Sequence, residues 1–308
     1  MAVVWQISAI QFNEKTLIRG YILKKISWPD HLRTTMIKNF YLVLSSYFRQ
    51  RYKSKDIIVS VGEQQYKTRT DKFGKFSITI KKADINEINI LNSKTNKPFE
   101  IIQSYPLFFP DNNNPVSVIS DIDDTILISN TRRVLKTIAT TLFVTPRKRV
   151  PINYASKILN ALNSKGSRIF YVSKSESNLF ALLTYFINNR NLPVGYLHLT
   201  PYISAHQLVR TKGGKNYKEN AIRFILENSS DKKFILLGDD TQHDMKIYHT
   251  ITQSYPDKIL RIYIHKTRKS LTGSKKEDME KLLSLPVSTV YFTDSGDLTQ
   301  ELNYINNL

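Results

Sequence analysis

Apolar and polar positions alternate down this chain in short blocks, and their rhythm changes near residue 112. Before that point the blocks have strand length. Val3–Phe12, Leu17–Leu23, Ile57–Val61, Gln65–Thr70, Phe76–Ile80 and Glu100–Ile102 are rich in β-branched and aromatic residues, which predicts β-strands. Asp71 and Gly74, in TRTDKFGKFSITI at 68–80, supply turn chemistry between two of these strands. One interval breaks the rhythm. In residues 31–55, Met36, Ile37, Phe40, Tyr41, Leu44, Tyr47 and Phe48 recur at helical spacing, flanked by Arg33, Lys38, Arg49, Arg51, Lys53 and Lys55. A basic amphipathic helix is expected there, either packed on the strands or lying on an anionic bilayer.

FPDNNNPVS, residues 109–117, clusters turn formers and reads as a linker. Strand and helix patterns then alternate over 116–121, 153–164, 168–172, 177–188, 196–199, 216–228, 233–237, 243–254, 260–264, 276–284 and 288–292. Alternation of this kind predicts a three-layer α/β domain with a parallel sheet and right-handed crossovers. The expected organisation is a smaller, mostly-β, sandwich-like domain over 1–112 and a parallel-sheet domain over 113–308.

The candidate chemistry lies where the buried strands of the second domain end. In VSVISDIDDTI, residues 116–126, the apolar run stops at Asp121, and Asp123, Asp124 and Thr125 follow. Open α/β sheets place their sites outside the carboxyl ends of strands. Carboxylates gathered there repel one another unless a cation neutralises them, and hard divalent cations take oxygen ligands. Mg²⁺ is the economical reading, and an aspartate so placed can attack phosphorus. Alone, the segment is also compatible with an acidic turn. Ile169–Val172 ends at Ser173, a hydroxyl suited to a phosphoryl oxygen or to a helix cap. Lys218 falls in the first turn of a helix over 216–228, where the dipole disfavours a cation; alone it reads as a solvated lysine of a Lys-rich chain, and a phosphate or carboxylate opposite would explain it, with Lys215 the rival position. KKFILLGDDTQHD, residues 232–244, ends a strand at Gly238, expected to permit a sharp turn, and offers Asp239 as a metal ligand. Asp244 either orients the site or binds metal through water. His243 reads as a bystander.

Taken in order, strand–DxDxT, strand–Ser, Lys–helix and strand–GDxxxxD resemble the haloacid dehalogenase (HAD) superfamily of phosphohydrolases. ISDIDDTI at 119–126, YVSKSESNLFALLTYFINNRNLPVGYLHL at 171–199, KFILLGDDTQHDMKIYHTI at 233–251 and RIYIHK at 261–266 are similar to the App1-like phosphatidate phosphatase catalytic domain family. The likeness covers about 115–266. The chain departs from that family at Glu176-Ser177, where Pro-Trp is usual, and at Thr200, where Arg is usual. Both departures bear on the substrate pocket more than on the reaction. Residues 68–80 also resemble the Thr-Asp-x-x-Gly-x-Phe hairpin of carboxypeptidase-regulatory-like β-sandwiches.

The resemblance implies a Mg²⁺-dependent phosphatase that turns phosphatidate into diacylglycerol and phosphate through an aspartyl-phosphate. Asp121 would be the nucleophile and Asp123 the acid and then the base. Asp121, Asp123 (through its carbonyl) and Asp239 would hold the metal, with Asp244 beside them. Ser173, Lys218 and Thr125 would bind phosphate. A soluble phosphatase for a small metabolite or phosphoprotein would use the same residues, and a non-catalytic membrane-binding module is the rival of another class.

Composition adds limits. The 308 residues contain no Cys, which excludes disulfides and thiolate chemistry. Net charge is +19, which reflects either a Lys-rich proteome or a field that favours polyanions: anionic membranes, phosphorylated substrates and, without any recognition motif, nucleic acid last. The basic segment 131–151, with Leu142 and Phe143 beside Arg147, Lys148 and Arg149, reads either as a flap over the site or as a surface helix with a solvated basic loop. No apolar run has the length of a membrane span, and MAVVWQISAIQFNEK lacks a basic leader, so a cytoplasmic protein, peripheral on the membrane, is expected.

Overall fold

A computed structural model describes residues 2–24, 50–122, 125, 153–201, 216–241, 243–268 and 270–308. The chain clusters into two units. One comprises Met1–Asp111, Ser175–Phe186 and Thr200–Lys212; the other comprises Asn112–Lys174, Ile187–Leu199 and Gly213–Leu308.

The first unit holds two sheets. Strands β1 (Ala2–Gln11), β2 (Lys15–Lys24), β5 (Lys75–Lys81) and β7 (Glu100–Ile101) run in the order β5-β2-β1-β7, with β8 (Phe108–Phe109) also on β1. Strands β3 (Asp56–Val61), β4 (Gln64–Arg69) and β6 (Ile88–Asn92) form the second, in the order β4-β3-β6. Both sheets feed one core. Val4, Ile7, Ile18, Ile22 and Phe76 of the first pack with Ile57, Val59 and Ile90 of the second. Apolar side chains of two sheets meeting in one core make the sandwich that the pattern predicted.

Three expectations change here. The segment at 70–74 carries the expected turn chemistry: Asp71 Oδ1 accepts from the N–H groups of Phe73 at 2.7 Å and Lys75 at 2.9 Å, and Gly74 has φ +75°. Yet β4 and β5 belong to different sheets, so it is a corner and not a hairpin. Local turn signals are the same in both cases. The helix expected over 31–55 lies largely outside the described residues, but its last part is described and is not helical. The N–H of Tyr52 donates to Ile22 O, and that of Lys24 donates to Gln50 O, so this backbone is bonded to the end of β2. The linker expected over 109–117 overlaps β8 and β9, and Asn112 and Asn114 donate to the carbonyls of Gly166 and Lys165 at 2.7 and 2.6 Å.

The second unit is built on a sheet ordered β11-β10-β9-β12-β13-β14. Its strands are β9 (Val116–Ser120), β10 (Arg168–Glu176), β11 (Tyr196–Thr200), β12 (Lys233–Asp239), β13 (Ile259–His265) and β14 (Ser288–Phe292). β9 is central and parallel to both neighbours: Ser120 lies opposite Tyr171 of β10 and Leu237 of β12. Every residue of β9 is buried, as an apolar run in a two-sided parallel sheet requires. The helices along the chain here are α1 (Asn153–Ser164), α2 (Phe180–Asn189, of which Phe180–Phe186 cluster with the first unit), α3 (Tyr217–Glu227), α4 (Asp244–Ser254) and α5 (Ser274–Leu283). α1 buries Tyr154, Ala155, Ile158, Leu159 and Leu162, one stripe at helical spacing.

A terminal helix, α6 (Thr299–Asn306), was not expected. Its buried face is Glu301 and Ile305 rather than an apolar stripe. Glu301 is held by Arg261 at 2.8 Å and by the hydroxyl of Tyr263 at 2.6 Å. The flap or surface helix read over 131–151 and the residues Asp123, Asp124 and Lys215 lie outside the described residues.

Candidate active site

The site is assembled at the carboxyl ends of β9 and β12, the two adjacent central strands. β9 ends at Ser120, and the N–H of Asp121 still donates to Leu237 O at 2.9 Å, which fixes where Asp121 begins. β12 ends at Asp239 itself. Gly238 precedes it, but not for a sharp turn. It lies within the strand, and a Cβ there would stand 2.7 Å from the ring of Tyr248 and 2.8 Å from Asp244 Oδ2. The glycine is needed so that α4 can approach the strand. Asp244 opens α4, where the helix dipole favours a carboxylate, and its Oδ2 accepts from the N–H of Asp239 at 3.3 Å.

These placements bring three buried carboxylates together. One oxygen each from Asp121, Asp239 and Asp244 lies within 4.8 Å of the others. Lys218, on the first turn of α3, is buried among them, with Nζ 2.9 Å from Asp121 Oδ1 and 2.5 Å from Asp244 Oδ1. The anion opposite Lys218 is thus a pair of aspartates. Burial pushes its ammonium down, but Asp121, Asp244 and Asp239 together outweigh burial, and its pKa ends above the ordinary lysine value. Lys218 therefore stays charged at neutral pH. One ammonium is not enough for three carboxylates packed this closely. Convergent hard oxygen donors with surplus negative charge fit a bound metal ion.

Neighbouring groups keep the cluster dry. Tyr248 is fully buried, and its hydroxyl donates to Leu237 O at 2.6 Å. Burial, then Asp244, Asp121 and Asp239, raise its pKa well above the phenol value. Asp239 Oδ1 accepts from the N–H of Thr241 at 2.5 Å and from the Thr241 hydroxyl.

The remaining expected residues are placed as follows. Ser173 is fully buried but does not sit at a strand tip, because β10 runs on to Glu176 and the next helical turn starts at Ser177. No helix N-terminus follows it directly. Thr125 is buried, and Asp123 is outside the described residues. The two departures from the family pattern meet each other: Ser177 Oγ donates to Thr200 O at 2.8 Å and Thr200 Oγ1 donates to Ser175 O at 3.1 Å. Their hydroxyls are engaged with backbone.

Sequence reasoning passed over Lys174. Burial lowers its pKa and Lys218 adds to the fall, while Asp244, Asp121 and Asp239 oppose it, which places this lysine in the field of the cluster. Its position next to Ser173 was the available signal.

Residues 116–266 match the family described as phosphatidate phosphatase APP1, catalytic domain. The chain is 30% identical over 166 residues to the phosphatidate phosphatase APP1 of Saccharomyces cerevisiae, covering 54% of this chain and 28% of that protein. It is 27% identical over 176 residues to an uncharacterized protein of Schizosaccharomyces pombe, covering 56% of this chain and 29% of that protein. The chain thus spans under a third of the length of these relatives. Among solved structures, it is similar to a Mesorhizobium loti protein described as a HAD-like phosphatase, at TM-score 0.34 and 10% identity over 55% of this chain and 84% of that one. It is also similar to a class C acid phosphatase of Bacillus anthracis, at TM-score 0.31 and 14% identity over 64% and 79%.

Proposed function

We propose that residues 116–266 form an App1-like catalytic domain of the HAD superfamily and that this protein is a Mg²⁺-dependent phosphatase acting on phosphatidate. The observation that carries the reading is Asp121, buried beside Lys218 and two further aspartates at the ends of adjacent parallel strands. Asp121 is the nucleophile: its carboxylate oxygen bonds to phosphorus as the bond from phosphorus to the glycerol oxygen breaks. Asp123 protonates the departing alkoxide, giving diacylglycerol. It then takes a proton from the water that attacks the aspartyl-phosphate and frees Asp121 and inorganic phosphate. Lys218, held charged, orients the Asp121 and Asp244 carboxylates and supplies positive charge beside the phosphoryl group. Ser173 and Thr125 are assigned to phosphoryl oxygens. Asp121, Asp239 and the Asp123 carbonyl would hold Mg²⁺, with Asp244 supporting them. The ion would screen the repulsion between nucleophile and phosphate.

Residues 113–308 are assigned as the phosphatase domain and 1–112 as an accessory domain. No described helix is long and apolar enough to cross a membrane. A net charge of +19 supports peripheral association with an anionic, cytoplasmic-facing membrane surface. One observation favours a soluble phosphomonoester as the alternative substrate. The family's Pro-Trp and Arg are replaced by Glu176-Ser177 and Thr200, and Ser177 and Thr200 bond to backbone.

A substrate panel tests the proposal: phosphatidate in mixed micelles and water-soluble phosphomonoesters, each with Mg²⁺ and with excess chelator. Mg²⁺-dependent release of phosphate from phosphatidate is expected. Faster turnover of the soluble esters would favour the alternative, and undiminished hydrolysis in chelator would reject the metal site.

A further inference from the structure

Lys275 is the second residue of α5, the helix packed on α4, whose first residue is Asp244. Its ammonium nitrogen is shut off from solvent and has no hydrogen-bond partner. The next residue shows what an ordinary lysine does here: Lys276 is largely exposed and lies 3.8 Å from Glu280 across one helical turn. The N–H groups of Lys275 and Lys276 are bonded to Thr272 O and Gly273 O, so the feature is the side chain and not the helix end.

Carboxylates are near, but they do not satisfy this charge. Asp278, Asp239 and Asp244 attract it and Arg268 opposes it, yet burial dominates and its pKa falls below the ordinary lysine value. A buried ammonium without a partner is costly, and such a group persists where something that binds offsets the cost. The missing partner has to be an anion, and it has to fit beside carboxylates that already hold surplus negative charge. A phosphate group with its cation meets both conditions.

We propose that Lys275 Nζ binds a non-bridging oxygen of the substrate phosphate, and of inorganic phosphate as product, beside the Asp239–Asp244 cluster. The inference rests on the phosphatase reading above. It assigns a second cation to the phosphate, supplied by the helix after β13.

Inorganic phosphate is the probe, titrated into the full chain with saturating Mg²⁺ and followed by calorimetry. Lys275→Met should weaken phosphate binding by about tenfold or more, the value of one charge-assisted hydrogen bond. Lys275→Arg should restore most of it. Without phosphate, Lys275→Met should melt at or above the wild-type temperature, because an unpaired buried charge has been removed. Unchanged phosphate affinity in Lys275→Met would overturn the proposal, as would a wild-type protein that binds no phosphate. A lower melting temperature without phosphate would also overturn it, since Lys275 would then be paired within the protein. So would a change confined to Mg²⁺ affinity, the mark of a lysine that only tunes its acidic neighbours. Phosphate held through Lys275 in a protein that hydrolyses no ester would reject the enzyme reading and leave this site standing. Hydrolysis with Lys275 irrelevant to phosphate would do the reverse.

Discussion

Asp239 and Asp240 are consecutive, both fully buried, and do opposite things. Asp239 turns into the cluster with Asp121, Asp244 and Lys218. Asp240 turns away, accepting from the N–H and hydroxyl of Thr267 and from the hydroxyl of Tyr291 at 2.7 Å, while its own N–H donates to His265 O. Neutral donors surround one charge, and that charge is at rest. Asp239 also accepts from the N–H and hydroxyl of Thr241, but it shares its space with two more carboxylates, and added positive charge is what offsets them. Burial alone therefore does not mark a functional acid. The identity of the partners does.

The comparison can be broken at several points. The largest effect is expected at Asp121, which directly follows β9 and lies 2.9 Å from the Lys218 ammonium. Asp121→Asn should cut turnover about a thousandfold or more while circular dichroism stays that of the wild type, because the amide is nearly isosteric but a poor nucleophile. Activity within tenfold of wild type, a loss of about 1.4 kcal/mol or less, would remove Asp121 from the chemistry. Asp240→Ala should act on the fold. Denaturant unfolding should show a loss of about 3 kcal/mol, since the Tyr291 hydroxyl and the Thr267 N–H are left without their acceptor. Mg²⁺ affinity measured on the folded protein should hardly move, and an equal loss of both would erase the distinction between the two acids.

Gly238→Ala sharpens the same contrast. The added carbon meets the Tyr248 ring and the Asp244 side chain, so α4 must shift. A cost of about 1–3 kcal/mol is expected, with a drop in metal affinity that Asp240→Ala does not share. Calorimetric titration of Mg²⁺ into both variants makes the check. The smallest effect belongs to a half-buried pair on a helix surface. Arg223 and Glu219 meet at 2.9 Å one turn apart on α3, and Arg223→Gln should cost only about 0.5 kcal/mol, with turnover unchanged. A loss of activity there would mean that α3 holds Lys218 less rigidly than its burial suggests.

Much of the second unit was legible because buried parallel strands read as apolar runs and the acids begin where those runs stop. Asp121 and Asp239 follow that logic, whereas Lys218 and Asp244 lie in the first turns of helices, and the fold brings the four together. The extension of β10 was not legible, since Ser173-Lys174-Ser175-Glu176 has the composition of a loop. Gly238 was legible as special but for the wrong reason, because close approach of a helix and a sharp turn leave the same letter in the sequence. α6 was missed because a buried Glu301 replaces the apolar stripe that signals a helix. Lys275 sits in a Lys-Lys pair that resembles any solvated surface, and only packing separates it from Lys276. In the first unit the strands were readable one by one, but which sheet each joins depends on contacts far apart in sequence.

The central place of β9 has a consequence for how the protein is made. Its neighbours are drawn from Arg168–Glu176 and Lys233–Asp239, so the strand bearing Asp121 is synthesised first and flanked last. At ordinary elongation rates Asp239 leaves the ribosome on the order of ten seconds after Asp121. Through that interval β9 keeps one open edge, a target for chaperones and proteases. The mutual repulsion of the acids is met only when β12 docks, after the rest of the apolar surface is available to oppose it. A nascent chain stopped before β12 has no carboxylate cluster to gather, so closing the sheet and creating the charged centre are one event.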